Sequence, residues 1–199
     1  ASVADILQLW PIVRGPRDSV IVTGERTLTE SDLWAAPDLC VEVGRTIVGG
    51  MTRLPADCVS EGALVTDPDI VATYAVDSSY GAVPAADVTL VRARDVADVV
   101  AVLREAHARG IPVVPQGART ALTGAACAVA GGIVLNVEDL TGIDIDPVEG
   151  LAWVGPGVVT SDLKAAAADQ GLHYPPDPAS ADTSTIGGNI ATNAGGLCC

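Results

Sequence analysis

The chain has 199 residues, of which 49% are hydrophobic, so it has enough apolar side chains for a sizeable core. Phenylalanine is absent and aromatic residues make up only 3%, so this core must be aliphatic. The formal net charge is −14, and a surface of that sign would repel nucleic acid and anionic membranes. No nucleic-acid partner is therefore expected, and an anionic ligand would have to be held by local backbone donors.

The cysteines and the hydropathy pattern bear on the cellular setting. No run of about eighteen apolar residues occurs, so no membrane span is expected. The five cysteines are odd in number and include no C-x-x-C pair, which argues against a disulfide framework and against a zinc site. Free thiols are typical of a reducing compartment, and the expected location is cytoplasmic.

The first part of the chain carries no recognisable chemistry. Residues 1–50 are interpreted as an N-terminal segment of unclear origin, with a strand at 20–23 and a helix at 29–36. Residues 51–84 are interpreted as an acidic, irregular lead-in to a domain, with a short helical piece at 70–74. No site residue is predicted in either segment.

A strand–helix–strand pattern follows. Residues 88–91 are predicted to form a short strand and residues 95–109 a helix, with Asp95 as its N-cap and Gly110 as its stop. The apolar residues of the helix recur at helical spacing and predict one buried stripe, formed by Val96, Val99, Val100, Leu103 and Ala106. A second strand is predicted at 112–115, so the unit is βαβ with parallel strands.

A loop rich in glycine and threonine follows the second strand, at the end where open α/β sheets bind ligands. Residues 116–124 read QGARTALTG, and a third strand is predicted at 132–137. Glycine lets backbone N–H groups approach an anion, and the hydroxyls of Thr120 and Thr123 add donors. No lysine follows Gly124 and no G-x-G-x-x-G occurs, so neither well-known phosphate loop is present. The loop is a candidate diphosphate cradle, with a plain glycine-rich turn as the alternative.

The pattern changes near Thr141, from the βαβ layer to hairpin strands and a helix, which indicates a second lobe. The hairpin strands are predicted at 143–146 and 151–154. The helix is predicted to run from Thr160, its N-cap, to Gln170. Its buried face is expected to comprise Leu163, Ala166 and Ala167.

Two unusual stretches complete the chain. Residues 174–180 read YPPDPAS, and the prolines would present Asp177 rigidly, unless the stretch is only a surface turn. Residues 183–196 read TSTIGGNIATNAGG, which is too glycine-rich for a stable helix on its own. This composition suits backbone packed against a flat ligand, with Thr185 or Thr192 donating hydrogen bonds. A flexible turn is an equally good interpretation.

Taken together, these stretches resemble the flavin-binding half of the FAD-linked oxidases of the vanillyl-alcohol oxidase or p-cresol methylhydroxylase type. The branch that they resemble most is that of glycolate oxidase and D-lactate dehydrogenase. The resemblance spans residues 85–199 and rests on three motifs. These are PVVPQGARTALTGA at 112–125, PPDP at 175–178 and STIGGNIATNAGG at 184–196.

The fold that the resemblance implies is α+β, with two lobes that enclose FAD. The βαβ first lobe would span residues 85–140. The hairpin-plus-helix second lobe would begin at residue 141 and would be truncated at residue 199, before its sheet is complete. A missing C-terminal half would then carry the rest of this lobe and a substrate-capping domain.

The resemblance also implies which residues bind FAD. Those around the diphosphate would be Gln116, Gly117, Ala118, Arg119, Thr120, Leu122, Thr123 and Gly124. Those along the flavin would be Pro176, Asp177 and Pro178. Those around the ribityl chain and ring would be Thr185, Gly187, Gly188, Asn189, Thr192, Asn193 and Gly195. The first loop contains no histidine to tether the cofactor, so noncovalent FAD is expected.

The activity that the resemblance implies is oxidation of a small 2-hydroxy acid of the D-lactate or glycolate type, with hydride transfer to FAD. The catalytic residues would lie beyond Cys199, so none is predicted here, and residues 1–199 alone are expected to be inactive. Two alternatives stay open at this point. One is a non-catalytic FAD- or nucleotide-binding module, and the other is a flavin subunit completed by a partner chain.

Overall fold

The computed structural model describes residues 54–197, together with two strands near the N-terminus. The chain divides into two compact units, residues 1–50 and 51–199. In the first unit, β1 (Val20–Thr23) pairs antiparallel with β2 (Arg26–Thr29). The strand predicted at 20–23 is confirmed, and the helix predicted at 29–36 lies, apart from its first residue, outside the described residues.

A mixed four-stranded sheet forms the first lobe of the second unit. Its strands, in spatial order, are β3 (Leu64–Val65), β4 (Thr89–Arg92), β6 (Ile133–Asn136) and β5 (Val113–Gln116). Strand β6 is parallel to both of its neighbours, and β3 is antiparallel at the edge. The predicted parallel arrangement is confirmed, and each predicted strand boundary lies within one residue of the observed one.

Two helices flank these strands in the sequence. Helix α1 (Pro68–Tyr74) begins after Asp67, whose side chain accepts from the Asp69 and Ile70 amides, so the short helix predicted at 70–74 starts two residues earlier. Helix α2 (Val96–Arg109) begins after Asp95 and ends at Gly110, which has a left-handed φ of 65°. Both predicted ends of α2 are confirmed.

The predicted apolar stripe of α2 is wrong at its first position. Val96 is 48% exposed, whereas Val102, which the stripe omitted, is fully buried in the core with Ala106. The reason lies in Asp98, whose carboxylate turns inward to accept from the Ser60 amide at 2.7 Å. Because residues i and i+4 share a helix face, an inward Asp98 brings Val102 to the core.

The second lobe contains a hairpin and a helix. Strands β7 (Ile143–Asp146) and β8 (Leu151–Val154) pair antiparallel, within the predicted bounds. Helix α3 (Thr160–Asp169) buries Leu163 in a small core with Val158 and Ile186. This core is separate from that of the first lobe, so the two-lobed α+β fold is confirmed.

Two details of α3 differ from prediction. Thr160 is not the N-cap, because that position is held by Val159, which makes no side-chain cap hydrogen bond. The Thr160 hydroxyl instead donates to the Ser184 carbonyl at 3.0 Å, so a contact 24 residues away replaces the local cap. In addition, Ala166 is only partly buried, while Leu163 and Ala167 are buried as predicted.

The glycine-rich stretch near the C-terminus was expected to be too rich in glycine for a stable helix on its own, and it forms a helix with the support of distant residues. Residues Ile186–Thr192 form a helix, α4, which ends at Asn193 with a φ of 52°. Its first turn is held by long-range bonds, from the Ile186 amide to the Val158 carbonyl and from the Gly187 amide to the Pro156 carbonyl. A Cβ on residue 187 would lie 2.7 Å from that of Pro156, so glycine permits this close packing.

Candidate cofactor-binding site

The two lobes meet where the loop after β5 approaches the start of α4. A Cβ on Gly117 would overlap the hydroxyl oxygen of Thr185, so this approach requires glycine at 117. Thr185 is only 4% exposed, and its Oγ1 makes no hydrogen bond to any described residue. A buried hydroxyl without a partner costs free energy, so this atom is suited to a bound ligand.

Gln116, the last residue of β5, lies beneath the loop. Its Nε2 donates to the Tyr74 carbonyl at 2.7 Å and to the Ala126 carbonyl at 2.5 Å. Its Oε1 is buried and has no partner among the described residues. This side chain therefore links Tyr74 to Ala126, just after the loop, through its two amide hydrogens.

The loop backbone adopts unusual conformations at two predicted positions. Arg119 has a φ of 59° and Gly124 a φ of 77°. The Arg119 guanidinium stacks on the Tyr74 ring at 4.0 Å and forms an ion pair with Glu138 at 3.4 Å. Its charge is thus already engaged within the first lobe. Ala118 and Thr120 are half-buried beside it, whereas Leu122 and Thr123 are exposed.

The predicted polar donors on α4 are used within the second lobe. The Asn189 side-chain Nδ2 donates to the Thr160 hydroxyl at 2.6 Å, and the Thr192 hydroxyl donates to the Gly188 carbonyl at 2.9 Å. Of the two predicted threonine donors, Thr185 is therefore the one whose hydroxyl has no hydrogen-bond partner among the described residues and could serve a ligand.

The proline stretch lies beside the end of the glycine-rich stretch. The Asp177 amide donates to the Gly195 carbonyl at 2.9 Å, and Asp177 forms a bridge with Gly196. The Asp177 carboxylate pairs with Lys164 at 2.5 Å, and its side chain is 52% exposed. The structure therefore joins the second and third predicted stretches through their backbones, with Pro178 buried between them and Pro176 half-buried.

Sequence reasoning missed one group of residues that holds the loop. We call residues 74–79 the clasp segment, which was interpreted only as lead-in. The Ser78 amide and hydroxyl both donate to the Arg119 carbonyl, at 3.1 and 3.0 Å. The Asp77 carboxylate accepts from the Ala126 amide at 3.3 Å. The one local sign of this role is the D-S-S sequence, because Asp77 also accepts from the Ser79 amide in an Asx turn.

A cavity of about 520 Å³ lies elsewhere in the first lobe. Its lining includes β3 and the amino end of β4, whereas the loop follows the carboxyl end of β5. No residue of the three predicted stretches lines it. The cavity is therefore distinct from the place where the loops converge at Gly117 and Thr185. Among the described residues, no helix is long and apolar enough to cross a membrane.

The second unit thus contains two small α+β lobes that meet where two glycine-rich loops converge, beside the buried Thr185 hydroxyl. Residues 89–199, which are more than half of the chain, match the family described as FAD binding domain, and the chain belongs to this family. Its cofactor is FAD, and the resemblance drawn from the three motifs is confirmed.

The chain is similar to several curated proteins. It is 39% identical over 140 residues to D-2-hydroxyglutarate dehydrogenase of Stutzerimonas stutzeri, covering 70% of this chain and 30% of that protein. It is 38% identical over 129 residues to glycolate oxidase subunit GlcD of Bacillus subtilis, covering 64% of this chain and 27% of the relative. The chain thus spans less than a third of the length of these relatives.

Two solved enzyme structures share the fold. Alkyldihydroxyacetonephosphate synthase superposes with a TM-score of 0.61 at 21% identity, covering 80% of this chain and 32% of that one. p-Cresol methylhydroxylase superposes with a TM-score of 0.56 at 20% identity, covering 67% of this chain and 27% of that one. At such identities the likeness shows the fold alone, which is that of the vanillyl-alcohol oxidase type.

Proposed function

We propose that the chain is the FAD-binding portion of a flavin-dependent oxidoreductase that oxidises a small 2-hydroxy acid. The observation that carries the cofactor assignment is the contact of Gly117 with Thr185. It joins the glycine loops of the two lobes, and the buried Thr185 hydroxyl has no hydrogen-bond partner among the described residues. This hydroxyl and the loop backbone would hold the cofactor at the junction of the lobes.

The residues present fit an anionic cofactor in two ways. Gly117 has no side chain at the junction, so a ligand could approach the backbone there. Gly124 and Arg119 have positive φ, and backbone in such conformations can turn successive N–H groups toward one point, as anion-binding loops do. The overall charge of −14 repels anions, so short-range donors of this kind must supply the affinity.

The proposed contacts to FAD divide among the three stretches. The loop at residues 117–124 would bind the diphosphate through its backbone, with Gln116 shaping the loop from below. Residues 176–178 and 185–195 would lie along the flavin and its ribityl chain. When bound, FAD supplies an electron sink for the hydride that leaves the substrate Cα.

We propose that this FAD is held noncovalently. Residues 116–124 contain no histidine, cysteine or tyrosine that could form a tether. Cys127, the nearest cysteine in sequence, has its Sγ 3.3 Å from the Asp77 carboxylate, to which it donates. Acid precipitation of the intact protein should therefore release all of the yellow colour into the supernatant, and colour that stays in the pellet would contradict the proposal.

The substrate class is supported by the relatives. D-2-hydroxyglutarate dehydrogenase, glycolate oxidase subunit GlcD and D-lactate dehydrogenase of Archaeoglobus fulgidus, which is 43% identical over 100 residues, are all named for 2-hydroxy acids. What these names have in common is a hydroxyl on the carbon next to a carboxylate. The shared chemistry, rather than any single acid, is what we assign to the protein.

The experiment that tests this function is anaerobic reduction of the bound flavin in the intact protein. D-2-Hydroxyglutarate, D-lactate and glycolate are added separately, with L-lactate as the control and dithionite as the reference for complete reduction. We expect at least one of the three acids to bleach the visible flavin absorbance, and L-lactate to leave it unchanged. A flavin that dithionite reduces but none of the acids reduces would instead indicate a non-catalytic FAD module.

A further inference from the structure

The clasp segment contains a buried carboxylate, that of Asp77, which is not among the predicted site residues. Asp77 is 9% exposed, and its carboxylate accepts from the Ser79 amide at 2.9 Å, the Ala126 amide at 3.3 Å and the Cys127 thiol at 3.3 Å. Ala126 and Cys127 lie 49 and 50 residues further along the chain. The carboxylate therefore connects the clasp segment to the far end of the cofactor loop.

Ser78, the next residue in the sequence, bonds to an earlier part of the same loop. The Ser78 hydroxyl donates to the Arg119 carbonyl at 3.0 Å, and the Ser78 amide donates to the Ala121 carbonyl at 3.1 Å. Arg119 has a left-handed φ of 59°, which is unfavourable for a residue with a side chain unless its surroundings stabilise it. Two consecutive residues thus bond to the loop that contains this conformation, at Arg119 and Ala121, and to the two residues Ala126 and Cys127 that follow it.

We propose that Asp77, aided by Ser78, is a positioning residue that holds residues 117–124 in the conformation that binds the FAD diphosphate. This inference rests on the FAD site proposed above. Without the clasp the loop would sample many conformations, and FAD binding would have to order it. Because ordering a loop on binding lowers affinity, a loop held in advance binds more tightly.

The chemistry at Asp77 requires a carboxylate. All three of its partners are donors, and an ionised carboxylate only accepts. An asparagine at this position would turn an NH₂ group toward one of these donors, so at least one bond would be replaced by a repulsive contact. Burial by itself raises the pKa of Asp77, but the hydrogen bonds from Ser79, Cys127 and Ala126 outweigh it and hold the pKa below its usual value.

The chain offers a matched control in Asp98. This carboxylate is 3% exposed and accepts from the Ser60 amide at 2.7 Å and the Arg94 amide at 2.8 Å. Backbone hydrogen bonds lower its pKa as well, against the opposing effect of burial. Arg94 lies just before α2 and Ser60 lies in the lead-in segment, so neither partner of Asp98 belongs to the loop at residues 117–124. Asp98→Asn therefore makes the same chemical change away from the loop.

The test compares Asp77→Asn with Asp98→Asn in the intact protein. For each variant, urea unfolding of the apoprotein gives stability, and titration with FAD, followed by flavin fluorescence, gives Kd. We expect both variants to lose stability, but only Asp77→Asn to raise the Kd for FAD, by about tenfold or more, as the loss of a hydrogen bond to a charged group predicts. Hydrogen exchange in the apoprotein should also accelerate at the Ala126 and Cys127 amides in Asp77→Asn and not in Asp98→Asn.

Three outcomes would overturn the inference. One is a Kd for Asp77→Asn within about twofold of that for Asp98→Asn, since a merely structural carboxylate predicts equal effects. The second outcome concerns a case in which Asp77→Asn does not fold. Ser78→Ala, a change at an exposed position, is then tested in its place, and a Kd for FAD equal to that of the parent protein would contradict the role of the clasp segment. The last is a parent protein that binds no FAD, which would remove the proposed function itself and so differs from the first two.

Discussion

The hydroxyl oxygen of Thr185 occupies the position next to Gly117 that a Cβ of residue 117 would need. This one contact joins the loop that follows β5 in the first lobe to the residue that precedes α4 in the second. Neither motif predicts it, because the two residues are far apart in sequence and belong to different lobes. The contact defines where FAD is proposed to bind, and most of the predictions below depend on it.

Thr185→Ala should weaken FAD binding without destabilising the apoprotein. The Thr185 hydroxyl is buried and unpartnered in the described structure, so its removal takes away a desolvation cost rather than a hydrogen bond. We expect the Kd for FAD to rise about tenfold, with unchanged or higher urea stability, and Thr185→Ser to retain the parent's affinity.

Thr160→Val is the matched control for this prediction. The Thr160 hydroxyl is buried, but it donates to the Ser184 carbonyl and accepts from the Asn189 side-chain Nδ2. Its loss should cost about 1–3 kcal/mol of stability, because the buried Asn189 side-chain amide loses its acceptor. If Thr185→Ala behaves like Thr160→Val, losing stability with little change in FAD affinity, then the Thr185 hydroxyl does not contact the cofactor.

Gly117→Ala should separate the two lobes and abolish FAD binding. The φ of Gly117 is not in the left-handed region, so the obstacle to a side chain at this position is the Thr185 hydroxyl rather than backbone strain. Overpacking of this kind typically costs about 1–3 kcal/mol. The double variant Gly117→Ala/Thr185→Ala should recover the stability but not the affinity. Gly142→Ala, where a Cβ meets nothing within 4 Å, is the control. FAD binding that is equal in Gly117→Ala and Gly142→Ala would refute the junction.

Gly124→Val should abolish FAD binding at a modest cost in stability. The nearest atom to an added Cβ is the Ser79 hydroxyl at 3.8 Å, so space is available and the cost comes from the positive φ of 77°. A left-handed conformation costs a residue with a Cβ about 1–2 kcal/mol. Gly131→Val shares this strain, with a φ of 71° and no neighbour within 4 Å, but lies outside the loop. The two variants should have similar stabilities, measured by urea unfolding, while only Gly131→Val retains FAD. Flavin occupancy that is the same in both would favour a plain turn over a diphosphate cradle.

Asp77 should make stability depend on pH on the acid side. Its pKa in the folded protein lies below its usual value of 3.8, since the hydrogen bonds of the carboxylate outweigh its burial. A lowered pKa contributes stability that is fully present above the unfolded value and is lost as pH falls through the folded value. The difference in unfolding free energy between the parent and Asp77→Asn should therefore be constant near neutral pH and shrink below about pH 4. A difference that grows on acidification has the wrong sign for this account.

The parts of the fold that depend on neighbouring residues were predictable from the sequence. The hairpin at 143–154 follows from short apolar strands around a turn, and the ends of α2 follow from Asp95 and Gly110. The three motifs also identified the cofactor family, because glycine and proline are placed by backbone requirements that ligand binding imposes.

The parts that depend on distant residues were not predictable. Helix α4 forms in a glycine-rich sequence because carbonyls of Pro156 and Val158 accept its first amides, about thirty residues away. Val102 rather than Val96 is buried because Asp98 bonds the Ser60 amide. Asp77 holds the cofactor loop through partners about fifty residues away, and no local pattern points to them.

The most direct test of the central claim is hydrogen exchange of the intact protein with and without FAD. If the cofactor lies between the lobes, FAD should slow exchange at residues 117–124 and at 185–195 together. The amides that line the cavity of about 520 Å³, at residues 64–72, should then be unaffected. Protection confined to those cavity residues, or absent from either of the two glycine-rich stretches, would contradict the site.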